Sequence, residues 1–231
     1  MSIRIRWTVL LLFFSASVAV ANENKGFVRE INISGNTRTQ TEVIRREVLF
    51  QPGDPLTLDL IEETLRNLRA LLFLGDVSLN VRQDGAFLDV DIHVTDLYAR
   101  AVTPLLSGKL GELNYGAVGQ DYNFSGRGQI VELTAEHGAI SGNRFRAFFC
   151  EPRLADSRVR VDVDAEAAEE GHRVFLSVSR PFYRLSEAFS ASASGFDRES
   201  LQRLYSGQTL SEKYVQKERG GSLSAVRSYG D

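Results

Sequence analysis

Along this chain the spacing of apolar residues changes once, near Asp96, from a mixture of helical and alternating periods to alternation alone. Before that point Phe27, Ile31 and Ile33 fall at alternate positions around Arg29, with Asn32 between the isoleucines, which predicts a half-buried strand ended by Ser34-Gly35-Asn36. Thr39 followed by Glu42 has capping-box spacing, in which a hydroxyl and a carboxylate each satisfy a free amide at a helix start, and predicts a helix over Gln40–Val48. Gln51-Pro52-Gly53-Asp54-Pro55 breaks that helix, because two prolines and a glycine cannot continue it. Asp59 with Glu62 starts a second helix that carries Leu60, Ile61, Leu65, Leu68 and Leu71 near one face and is closed by Phe73-Leu74-Gly75-Asp76. Val77, Leu79 and Val81, a turn at Gln83-Asp84-Gly85, and then Leu88, Val90, Ile92 and Val94 predict a hairpin with one apolar face. The order β-α-α-β-β describes a small α+β module with one sheet face for two helices to cover.

Beyond Asp96 only period two remains. Val131, Leu133 and Ala135 alternate with Glu132, Thr134 and Glu136, and Val159, Val161 and Val163 with Arg158, Arg160, Asp162 and Asp164. Val174, Leu176 and Val178 continue the pattern, as do Phe189, Ala191 and Ala193 between serines. Turn-forming clusters separate them, among them Ser125-Gly126-Arg127-Gly128, Ser141-Gly142-Asn143, Glu151-Pro152-Arg153 and Glu169-Glu170-Gly171. Segments of about ten residues with one apolar and one polar face are the pattern of a transmembrane β-barrel. A soluble antiparallel sandwich produces the same alternation, so periodicity alone leaves both open.

The first residues, MSIRIRWTVLLLFFSASVAVANENK, tip the choice: Arg4 and Arg6, the apolar run Trp7 to Phe14, and Ala19-Val20-Ala21 predict a secretory signal cut between Ala21 and Asn22. A membrane anchor would need about 20 continuous apolar residues, and Ser15 and Ser17 interrupt this run. An exported chain without disulfides, with small apolar residues on one strand face and dense charge on the other, fits a lipid-facing wall around a wet lumen. Composition agrees with a folded protein: 43% of the 231 residues are hydrophobic and 25% charged, and the net charge of −3 gives no basic excess for nucleic acid. Cys150 stands alone, so no intrachain disulfide or multi-cysteine metal cluster can form. His93, His137 and His172 are scattered, with no second histidine or carboxylate in ligand spacing, and are expected to be solvated. Asp162 and Asp164 share a face with Arg158 and Arg160, which suits lumenal ion pairing better than paired-carboxylate catalysis. Cys150 is expected as a free thiol on the barrel wall. No catalytic, cofactor or metal constellation emerges, and no enzyme activity is expected.

Two stretches carry a resemblance. FVREINISGNTRTQTEVIRREVLFQPGDPL, LDLIEETLRNLRALLFLGDVSLNV and LDVDIHVTD together resemble a POTRA domain, the polypeptide-transport-associated module of the periplasm. LNYGAVGQDYNFSGRGQIVEL, FFCEPRLADSRVRVDVDAE and RVFLSVSRPFYRL resemble the opening strands of the BamA-like superfamily of outer-membrane barrels, which place POTRA domains ahead of a barrel in this order. The implied fold is an α+β POTRA domain followed by an antiparallel all-β transmembrane barrel region, with a signal peptide over 1–21, the POTRA domain over 22–96 and the barrel region over 97–231. The implied function is assembly, insertion or translocation of polypeptides at the bacterial outer membrane, the POTRA domain in the periplasm. Clients would be unfolded outer-membrane or secreted polypeptides, with outer-membrane lipid and periplasmic accessory proteins as further partners. A client would add to an open POTRA strand edge by β-augmentation. The candidate edges are Phe27 to Ser34, with Phe27, Ile31 and Ile33, and Val77 to Val81, with Val77, Leu79 and Val81. Leu97 to Leu105 is the candidate first barrel strand.

Length then becomes informative. The superfamily barrel has about sixteen strands and needs well over about 250 residues, whereas roughly 135 follow the POTRA-like segment. Seven to nine strand-like segments fit there. Either the barrel is a part of a larger one or a small eight-stranded barrel closes on itself. The alternative of a different class is a soluble periplasmic POTRA-containing module that binds peptides, or a non-functional fragment of such a barrel protein.

Overall fold

The computed structural model describes residues 26–184, 187–207 and 209–229. The expected signal peptide and its Ala21/Asn22 junction lie outside the described residues.

The N-terminal domain contains β1 (Phe27–Ser34), α1 (Thr41–Arg45), α2 (Leu58–Arg69), β2 (Leu74–Asp84) and β3 (Phe87–Asp96). Its sheet has the order β1-β3-β2, with β3 parallel to β1 and antiparallel to β2. The last strand takes the centre because it is the most apolar on one face: Leu88, Val90, Ile92 and Val94 are all fully buried. The two helices cover that face with Val43 and Ile44 from α1 and Leu68 from α2, and Phe50, Leu56 and Phe73 fill the margins. The opposite face is a polar ladder, in which Arg29 holds Asp89 at 2.6–2.8 Å and Ser34 meets His93 at 3.1 Å.

Both helices differ from their sequence expectation. The predicted Gln40–Val48 helix shrinks to Thr41–Arg45, and the Thr39/Glu42 capping box does not form. Thr39 Oγ1 instead donates to Asp96 at 2.5 Å, a long-range bond that outcompetes the local cap. α2 starts earlier than Asp59, at Leu58, because Thr57 Oγ1 accepts from Leu60 N at 3.3 Å. It ends at Arg69, so Leu74-Gly75 opens β2 rather than closing the helix.

The second part is a meander of eight antiparallel strands, each paired with its neighbours in sequence: β4 (Arg100–Lys109), β5 (Glu112–Phe124), β6 (Gln129–Gly138), β7 (Gly142–Glu151), β8 (Arg160–Ala168), β9 (Gly171–Arg180), β10 (Phe189–Ser206) and β11 (Thr209–Arg227). The first strand therefore begins at Arg100, and Leu97–Ala99 is a link tied by Leu97 N to Phe73 O at 2.8 Å. Among the described residues β4 and β11 have one neighbour each, so the eight strands form an open sheet and not a closed small barrel.

Register sorts the side chains into two faces. Leu133, Phe145, Ala165, Leu176 and Ala193 share the apolar face, where Leu176 lies opposite Val163 and Gly195. Glu132, Arg146, Asp164 and Arg173 share the other, joined by bonds of 2.5–3.1 Å from Arg146 to Glu132 and Asp164 and from Arg173 to Asp164. The expected pairing of Asp162 also forms, with Arg160 at 2.8–3.0 Å. The sheet curls around this charged face, which bounds a cleft of about 820 Å³ lined from Leu105 on β4 to Arg198 on β10. Cys150 is a free thiol in β7, as expected of the wall, and its side chain is on the charged side, opposite Asp162 and fully buried. Among the described residues no helix is long and apolar enough to cross a membrane, which says nothing of strands.

If the apolar face meets lipid, Leu176→Arg should lower stability in lipid vesicles by about 2–4 kcal/mol, while the adjacent Ser177→Arg on the wet face should cost far less. Equilibrium urea unfolding of the two variants in the same vesicles checks this; equal penalties would contradict the assignment of faces.

Candidate functional site

With β3 central, β1 and β2 are the edges of the N-terminal sheet, and their exposure differs. The Gln51–Leu56 segment lies along the start of β1: Val28 N donates to Asp54 O at 2.9 Å, Gly53 N to Val28 O at 2.7 Å, and Phe27 bridges Pro55. The beginning of that candidate edge is therefore occupied, and Ile31 is buried in the core. On β2, Val77 O accepts from Arg69 Nη2 at 3.3 Å, so Val77 turns its backbone away from β3. By the alternation of an antiparallel ladder, Leu79, Val81 and Gln83 also direct N–H and C=O outward. From Ser78 to Asp84 no strand lies beside β2 among the described residues. This free edge is about 20 Å long at the usual rise per residue. The side chains of Val77, Leu79 and Val81 point into the domain, so recognition at this edge would go through backbone groups and tolerate many sequences.

The domain is fixed to the second part of the chain at three turns. In the β5–β6 turn, Gly126 O accepts from Gln40 N at 2.9 Å and Ser125 O from Gln40 Nε2 at 3.1 Å. Asn123 Nδ2 donates to Thr39 Oγ1 at 2.8 Å, and Thr39 in turn donates to Asp96. In the β7–β8 turn, Arg153 makes a two-pronged ion pair with Glu47, 2.9 Å on the Nε side, and both side chains are buried. In the β9–β10 connection, Tyr183 lies against the Arg153 guanidinium, 3.7 Å from ring centroid to Cζ, and Arg184 Nη2 donates to Leu49 O at 3.3 Å. Burial pushes the Tyr183 hydroxyl above its ordinary pKa and draws the Arg46 guanidinium, beside Glu47, below its own. None of these turn residues was a sequence-based candidate. Phe124-Ser125-Gly126-Arg127-Gly128, Glu151-Pro152-Arg153 and Arg180-Pro181-Phe182-Tyr183 stand out in the sequence, and there as turns.

The histidines occupy separate places. His93 bonds Ser34, His137 stacks on Tyr115 at 5.1 Å, and His172 Nε2 faces Asp197 Oδ1 at 3.5 Å. The last contact corrects the expectation of no neighbouring carboxylate: β9 and β10 pair so that Asp197 sits diagonal to His172 on one face. Such a contact is not a metal site, and no group of three or more His, Cys, Asp or Glu able to hold a metal occurs among the described residues.

Asp96 is one carboxylate of the junction whose titration is shifted by its bonds. Burial alone would raise its pKa, but bonds from Thr39 Oγ1, from the Arg38 and Thr39 amides and from Thr37 Oγ1 hold it below the ordinary range. A depressed folded-state pKa contributes stability above the unfolded value, about 3.9, that is lost as pH falls through the lower folded value. Asp96→Asn should therefore destabilise the junction at pH 7 and flatten this acid limb, as read by denaturant unfolding from pH 7 to pH 2. A Cβ at Gly126 would stand 2.3 Å from Arg38 O with φ at +72°, so Gly126→Ala should open the joint and speed proteolysis at Leu97–Ala99.

Residues 27–96 match the POTRA family model, described as a surface antigen variable number repeat. Over 221 residues the chain is 24% identical to the outer membrane protein assembly factor BamA of Neorickettsia risticii, covering 90% of this chain and 28% of that protein. Over 173 residues it is 29% identical to a putative outer membrane protein assembly factor of Treponema pallidum, covering 71% of this chain and 20% of that one. The chain thus spans under a third of the length of either relative. In fold it is similar to BamA from Haemophilus ducreyi lacking POTRA domains 1–3, at a TM-score of 0.56 and 16% identity, over 88% of this chain and 44% of that one. Residues 27–96 are thus a POTRA-type domain by their match to the family model, and three turns join it to an open antiparallel sheet whose fold is similar to part of the BamA structure.

Proposed function

We propose that the chain serves the assembly or translocation of polypeptides at the bacterial outer membrane, its POTRA domain capturing extended clients on the β2 edge and presenting them to the barrel region. The observation that carries this reading is the free β2 edge, seven residues of backbone from Ser78 to Asp84 on a domain fixed directly to the sheet's turns. Capture through main-chain bonds suits clients whose sequences share only an alternating pattern. β1 is the weaker of the two candidate edges, because Gln51–Leu56 occupies its start. The sheet's apolar face supports residence in the outer membrane with the POTRA domain in the periplasm, and a soluble peptide-binding module would leave that face unexplained.

Two measurements test the reading. Vesicles holding the full chain should accelerate the folding of a urea-unfolded outer-membrane barrel over empty vesicles; equal rates would refute an assembly role. Val81→Pro removes one outward N–H at an edge position where proline is tolerated. It should weaken crosslinking of a photoreactive peptide with the β9 sequence GHRVFLSVSR several-fold, while Ile33→Pro on β1 should leave it near the parent level. The reverse ranking would move the client to β1.

A further inference from the structure

Arg153 differs from the other arginines of the sheet in its degree of enclosure. Its side chain is 5% exposed and that of Glu47 9%, whereas Arg146 and Arg173 on the charged face are 34% and 41% exposed. Its backbone is held by Arg153 N to Glu151 Oε1 at 3.0 Å, and the stacked Tyr183 is anchored by its hydroxyl to Pro152 O at 3.0 Å. So closed an ion pair loses the hydration of both charges, and an apolar pair of the same size would hold the two surfaces together at least as well. Its two parallel N–H···O bonds do what an apolar contact cannot: they are satisfied at one relative orientation and broken by rotation away from it.

The other attachments hold that orientation less tightly: Gln40 joins the β5–β6 turn beside Thr39, and Arg184 reaches Leu49 O by one bond of 3.3 Å from the end of a long side chain. Asp96, Thr39 and Asn123 form one attachment point beside the Leu97–Ala99 link, and a single point next to a link permits rotation about itself. Glu47 and Arg153 form a second point on a different turn, and two separated points remove that freedom. Backbone strain marks the same turns. Among the described residues the non-glycine positions with positive φ are Ser125 at +55°, Ala155 at +50° and Asp156 at +58°, all in the turns that meet the POTRA domain. Such conformations persist where the surroundings over-determine them.

We infer that Arg153 is a positioning residue that fixes the angle of the POTRA domain on the barrel region through Glu47, and that this pair sets orientation rather than stability. The inference stands apart from the client reading, since neither residue lies on the β2 edge. The test uses the full chain refolded in detergent micelles, with nitroxide labels at Glu62→Cys and Leu110→Cys, both exposed, while the buried Cys150 stays unlabelled. Pulsed electron paramagnetic resonance should give one narrow distance distribution in the parent. Glu47→Leu combined with Arg153→Leu should at least double its width with the thermal midpoint unchanged. Arg153→Lys, which keeps the charge but not the fork, should broaden it as well. A parent-like width in both variants overturns the inference, and so does a lowered midpoint in the Leu/Leu protein with the width retained.

Discussion

From β6 to β9 the strands present side chains to two unlike environments at every second residue, and the architecture of the barrel region rests on keeping that alternation in register. A slip of one residue between neighbours would carry Asp164 to the apolar face and Val163 to the charged one. The register avoids this from β6 to β9, with Glu132, Arg146, Asp164 and Arg173 in cross-strand contact on one side and Leu133, Ala147, Val163 and Leu176 on the other. The ion pairs on the wet face oppose slippage, since a shifted Arg146 would lose Glu132 and Asp164 together. In hydrocarbon the same constraint reaches the backbone, because an unpaired edge cannot be left facing lipid. The open flanks at β4 and β11 are therefore where the described sheet calls for further pairing.

Much of this was legible in the sequence because alternation is a local property. β1 spans the predicted strand, and the valine runs near residues 161 and 174 lie in β8 and β9 as their period implies. The POTRA-like domain was legible for the same reason, its central strand spelled out by four apolar residues at every second position. Failures came where a distant partner overrode a local preference. Thr39 and Glu42 have the right spacing for a cap, but the Asp96 carboxylate, far along the chain, claims the threonine hydroxyl. Cys150 lies in the wall strand β7 as a free thiol, and its facing, opposite Asp162, came only from the register.

The joint was the least legible part. Its residues are a glycine, an asparagine, an arginine and a tyrosine in segments that read as ordinary turns, and no period connects them to Thr39, Glu47 or Leu49. Nothing in a single sequence distinguishes an arginine that pairs with a buried carboxylate on another domain from one exposed to solvent. The edges were half legible: hydrophobic pattern predicted two candidate strands, but choosing between them required the Gln51–Leu56 segment to be placed beside β1.

Sequence separation also orders the assembly of the molecule. The hairpins of the meander join residues close in the chain, whereas the bonds of the joint connect positions 84, 106 and 135 residues apart. Contacts of that span close late, after the local ones that bring them near. The POTRA domain completes its sheet by Asp96, before any partner on the second part has been presented. Its direction in the folded chain therefore depends on the pairing of the strands that flank all three turns, β5–β6, β7–β8 and β9–β10. The set of the domain against the sheet thus joins the longest-range contacts of the molecule to its most local ones.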